Sequence, residues 1–103
     1  MFDLEETVMG IIINAGQSRS LCYEALRCAK QGQFAEADDL LRQATESANA
    51  AHAVQTRLIE ADQGTGQIPV SLVLVHAQDH LMTSRLAKEL VCELIDLYRR
   101  QAA

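Results

Sequence analysis

VHAQDHLMTSRLAKELVCELIDLY, residues 75–98, decides the fold. Its apolar residues recur at three- and four-residue steps, the period of an amphipathic helix and not the alternation of a strand. With His76 set at zero on a helix advancing about 100° per residue, Asp79 falls near 300°, Thr83 near 340° and His80 near 40°. Further along, Ala87, Leu90, Leu94 and Tyr98 all fall within about 40° of the His76 line. The polar cluster therefore stands on the line that the second half of the helix fills with apolar side chains. Two explanations remain open: the helix turns its first half to water, or the polar groups have a task on a packed face.

The rest of the composition agrees with helices. The chain has 103 residues, enough for a single domain over 1–103. Hydrophobic residues make up 49% and aromatic residues 4%, with no Trp, so the core is aliphatic and Ala-rich. Five Gly and one Pro are too few for the turns of an all-β chain. The predicted class is all-α, an antiparallel three-helix bundle.

Charge and hydropathy exclude several functions. The net charge is −5 and the basic residues are scattered, which argues against nucleic acid as a partner. No apolar run approaches the roughly 18 residues of a membrane span. Asp3, Glu5 and Glu6 stand where a secretory leader would carry positive charge, so a cytoplasmic location is expected. Cys22, Cys28 and Cys92 are odd in number, lack C-x-x-C spacing and are expected to be free core or boundary residues.

Two breaks divide the chain into three helices. Asp3, with Glu6 three residues on, offers an N-cap, and Gly32 ends the first segment after Lys30. The second is expected over Phe34–Ala61, with Ala37, Leu40, Leu41, Ala44, Ala48, Ala51, Leu58 and Ile59 on or near one face and a small-residue middle from Ala44 to Ala53. His52 and Gln55 extend its line Leu41, Ala44, Ala48 towards Ile59. Asp62–Gln67 is the one convincing loop and the expected mobile point. Pro69 is expected in the first turn of the third helix, which runs to about Gln101; a short strand from Ile68 to Leu74 is the weaker alternative.

Histidines at i and i+4 with an acid between them suit proton transfer, metal binding or covalent phosphorylation near neutral pH. His76 and His80 lack the Glu that a metalloprotease pair requires, and no Gly-rich phosphate loop or Gly-x-Ser-x-Gly elbow occurs. Spacing alone does not choose among the remaining chemistries.

The whole run of motifs resembles the lactose/cellobiose/N,N'-diacetylchitobiose family of enzyme IIA proteins of the bacterial phosphoenolpyruvate-dependent sugar phosphotransferase system. The resemblance rests on VMGIIINAG (8–16) with Gln17, Arg19, Ser20 and Leu21, on EALRCAKQGQF (24–34), on AHAVQT (51–56), and on VSLVLVHAQDHLMTS (70–84). It implies a homotrimeric nine-helix bundle and a phosphoryl relay. His76 would accept phosphate through Nε2 from the phosphocarrier HPr and pass it to a cysteine of enzyme IIB, with the membrane enzyme IIC acting further on. His80 and Gln78 are candidates to assist, while His52, Gln55, Thr83 and Ser84 are candidates to line the same pocket. Met82 is expected in the core.

The resemblance also carries a metal site onto Asp79, which would point to the threefold axis and help to hold Mg²⁺ or a similar divalent cation. Three carboxylates within ~4 Å would repel by roughly 4 kcal/mol per pair at an effective dielectric near 20. A cation or protonation would relieve that. Ala77 within the motif, together with VMGIIINAG, leans toward chitobiose or cellobiose over lactose, and Arg85 puts a charge where an apolar residue would be more typical. The competing class is a bundle that binds a metal or a partner helix and never carries phosphate.

Overall fold

The structure, a computed structural model, describes residues 3–102. Three long helices account for most of them: α1 (Leu4–Lys30), α2 (Phe34–Asp62) and α3 (Leu72–Ala102). They form a rod 53 × 20 × 18 Å, and no strand occurs among the described residues. α1 packs along both of the others, whereas α2 and α3 touch sparsely.

The ends of the helices follow from local chemistry. The Asp3 carboxylate accepts from the Glu6 N–H at 3.1 Å, satisfying one orphan donor of the first turn. At the other end of α1, Gly32 adopts φ +77°, and the N–H groups of Gly32 and Gln33 bond back to the carbonyls of Ala29 and Cys28. That left-handed residue lets the chain reverse directly into α2.

Pro69 does not open α3. Ser71 does: its hydroxyl accepts from the Leu74 N–H at 3.2 Å, and its carbonyl accepts from the Val75 N–H at 3.0 Å. Serine is a preferred N-cap, and a proline two residues earlier holds the approaching chain extended. The loop before it is tied down by one side chain. Asp62 accepts from the Ile68 N–H at 2.9 Å and from the Gly66 N–H at 3.3 Å, which gives the glycine-rich turn a fixed frame.

Two core clusters stack along the rod. Val8, Ile11 and Ala15 of α1 meet Ala51 and Leu58 of α2 and Leu74, Ala77 and Leu81 of α3. Further along, Cys22, Ala25 and Ala29 meet Ala37, Ala44, Val91 and Ile95. The buried line of α2 is thus Ala37, Ala44, Ala51 and Leu58, a seven-residue period within the apolar face expected above, while His52 and Ile59, expected to extend that face, are exposed. Small side chains there bring α1 close enough for buried Ser18 to donate to the Ala44 carbonyl at 2.8 Å.

The buried face of α3 also differs from expectation. Leu74, Ala77, Leu81, Ser84, Val91 and Ile95 face the other helices, spanning roughly 60° to about 160° from His76 on a wheel of about 100° per residue. The line of His76, Leu90 and Leu94 lies outside that arc. Leu90 is 55% exposed and Leu94 42%, and Met82, expected in the core, is 53% exposed. α3 therefore has two apolar faces, one buried within the chain and one open, formed by Val75, Met82, Leu86, Leu90, Leu94 and Leu97.

Candidate functional site

The site is assembled on the first three turns of α3, where it passes α1. His76 is exposed and His80 half-buried. Their i, i+4 spacing puts the rings on successive turns of one face. The ring planes lie within 5° of parallel, with centroids 6.0 Å apart.

His80 is seated against α1. A Cβ built at Gly16 would stand 3.2 Å from His80 Nε2, so the ring occupies space that any other residue at 16 would claim. Gly16 was not singled out from the sequence, although a signal existed. Glycine within a helix costs about 1 kcal/mol relative to alanine, so its presence in IIINAG asks for a packing reason.

The other candidates separate into distinct places. Gln78 turns toward α2, where the Gln55 amide donates to its side-chain carbonyl, fastening two helices that otherwise touch little. Gln78 also lines a 220 Å³ depression with Leu58, Ile68 and Leu74, beside the α2–α3 loop. His52 joins neither group: it lines a 110 Å³ cleft with Asn49, Arg85, Lys88 and Glu89. Arg85 thus faces this cleft rather than the His76 face. Buried Ser84 donates to the Leu81 carbonyl and is unavailable to a ligand, and the Thr83 hydroxyl bonds back to the Asp79 carbonyl at 2.9 Å.

Asp79 is exposed and stands between Val75 and Met82 on the open apolar face of α3. Among the described residues no group of three or more His, Cys, Asp and Glu side chains could hold a metal ion. Within one chain Asp79 is a single carboxylate. A concavity of 490 Å³ runs farther down the same open face, along Leu90, Leu94 and Leu97. No described helix is long and apolar enough to cross a membrane.

An exposed imidazole with a second one seated a turn away, on a three-helix bundle with an open apolar face, is an arrangement that a phosphoryl carrier could use, and the family match makes that class the right one. Residues 6–99 match the family described as "PTS system, Lactose/Cellobiose specific IIA subunit", and the chain belongs to it: it is a IIA component of the sugar phosphotransferase system. It is 60% identical over 101 residues to the N,N'-diacetylchitobiose-specific EIIA component of Escherichia coli K12, covering 98% of this chain and 87% of that protein. It is 40% identical to the lactose-specific EIIA component of Lactococcus lactis, covering 95% of each. Among solved structures, the cellobiose-specific enzyme IIA of Bacillus anthracis superposes with a TM-score of 0.93 at 43% identity, covering 99% of this chain and 94% of that one. A chain in the solution structures of the E. coli IIA(Chitobiose)–HPr complex superposes with a TM-score of 0.87 at 58% identity over 100% of both chains.

Proposed function

We propose that His76 is the phosphoryl acceptor and that the chain relays phosphate from HPr to a cysteine of enzyme IIB for N,N'-diacetylchitobiose uptake, with enzyme IIC further downstream. The supporting observation is the exposed His76 imidazole beside the seated His80, in a fold that a relative shares in complex with HPr. The sugar preference rests on the 60% identity to a chitobiose-specific relative against 40% to a lactose-specific one.

Such a relay asks little of the protein beyond an accessible nitrogen, in-line geometry and donors to the phosphoryl oxygens. His76 attacks the phosphorus with the lone pair of its Nε2. The bond between phosphorus and the donor atom of HPr breaks as the bond to His76 Nε2 forms, and the donor atom keeps the bonding electrons. In the second step a thiolate of enzyme IIB attacks, and His76 recovers its lone pair. No nucleotide is needed.

The open face of α3 is the proposed seam between three copies. Bringing them together would cover Val75, Met82, Leu86 and Leu90 and gather three Asp79 carboxylates. Carboxylate oxygens suit a divalent cation such as Mg²⁺, which would supply charge neutralisation within the assembly. One exposed Asp79 per chain fits such a site only when it is shared.

Incubation with phosphoenolpyruvate, enzyme I and HPr, followed by intact-mass measurement, tests the relay. A gain of one phosphoryl group in the wild type, absent from His76→Ala, is expected. The proposal fails if active carriers leave the mass unchanged or if His76→Ala is still phosphorylated.

A further inference from the structure

We infer that Gly16 is a positioning residue for phosphoryl transfer: its missing side chain provides the seat on α1 that holds the His80 imidazole parallel to His76. This rests on His76 being the acceptor, as proposed above. The space is not incidental. A Cβ at position 16 would come within 3.2 Å of His80 Nε2, closer than an ordinary van der Waals contact, and the ring would have to retreat by a few tenths of an ångström. Gly10, two turns earlier in α1, meets nothing within 4 Å. Helix propensity favours alanine at both positions, so only Gly16 has a neighbour that explains its glycine.

The seat matters because, among the described residues, no hydrogen bond fixes the His80 ring. Its ring is half-buried, and the residues around it on the same turn are engaged elsewhere: Gln78 with Gln55 on α2, and Thr83 with the backbone of its own helix. α1 stands against the ring at Nε2. An imidazole one turn from the acceptor can donate to a phosphoryl oxygen only while its ring keeps that orientation, and misplacements of about 1 Å or less are felt in transfer rates. Gly16 therefore acts through His80 and touches no reacting atom.

The experiment measures single-turnover transfer from phosphorylated HPr to the full chain, in wild type, Gly10→Ala, Gly16→Ala, Gly16→Val, His80→Ala and Gly16→Ala/His80→Ala. Gly10→Ala should transfer at the wild-type rate. Gly16→Ala should be slower by roughly three- to tenfold, and Gly16→Val slower still. In the His80→Ala background, Gly16→Ala should change the rate by less than about twofold, because the group it displaces is gone. The ¹⁵N resonances of the His80 ring should move in Gly16→Ala and stay in place in Gly10→Ala.

Wild-type transfer by Gly16→Ala, or an equal loss with and without His80, overturns the inference. If Gly16→Ala alone does not fold, the double variant must fold as His80→Ala does; failure of both also overturns it. A wild type that takes no phosphate, or a His76→Ala that does in the same transfer assay, removes the acceptor assignment itself, so adding His76→Ala to the series makes the two failures distinguishable.

Discussion

Ser18 on α1 and Ala44 on α2 are joined by a 2.8 Å hydrogen bond from the serine hydroxyl to the alanine carbonyl, and both residues are buried. The bond is made where two helices approach over small side chains, so it records their separation. Ser18→Ala should lower stability by about 1 kcal/mol, because the Ala44 carbonyl keeps its place within α2 while the cross-helix bond is lost. Ser18→Leu should cost more, roughly 1–3 kcal/mol, by forcing α1 and α2 apart. Urea unfolding followed by circular dichroism measures both.

The open face of α3, taken with the three-copy seam proposed above, makes the oligomeric state testable. Light scattering of the wild type should give about three chain masses, and Leu90→Glu should lower the mass by placing a carboxylate on the seam. Asp79→Asn should remove any dependence of the assembly on chelator. A monomeric wild type would remove the shared-cation proposal.

Cys22 should be the slowest of the three thiols. Burial pushes its pKa up; a charge on nearby Cys92 raises it further, while Lys88 and the Ser18 hydroxyl oppose the shift. The folded protein thus holds the Cys22 proton more tightly than the unfolded chain. Stability from this thiol is complete below its unfolded pKa of about 8.5 and declines as pH rises beyond it, because the unfolded state loses the proton first. Iodoacetamide should label Cys28 and Cys92, which are half-buried, before Cys22. Cys22→Ser should flatten the alkaline limb of the stability profile.

Asp62 should govern the α2–α3 loop. Replacing it with alanine leaves the N–H groups of Gly66 and Ile68 without their acceptor. Limited proteolysis within residues 63–67 should become several-fold faster, consistent with a local loss of about 1–2 kcal/mol. Asp62→Asn, which keeps an acceptor oxygen, should be cut at an intermediate rate.

Three helices were legible because their apolar residues recur at a period that only a helix satisfies, and because Asp3 and Gly32 carry their capping chemistry locally. The start of α3 was not legible. Proline suits a first turn as well as the extended approach to one, and the choice fell to the Ser71 hydroxyl bonding the Leu74 N–H. Likewise, the chemistry of HAQDH could be read residue by residue, but not where each side chain would point.

A helical wheel sets angles between residues on one helix and says nothing of the direction in which its neighbours lie. α3 has two apolar faces, and which of them was covered by α1 and α2 depended on where those helices packed. That placement left Leu90 and Leu94 open, separated His52 from His76, and paired Gln55 with Gln78. It also brought Gly16 against His80. Periodicity and capping are properties of neighbouring residues and survive in a string of letters. The seat of an imidazole is a distance between helices, and it exists only once the helices have packed.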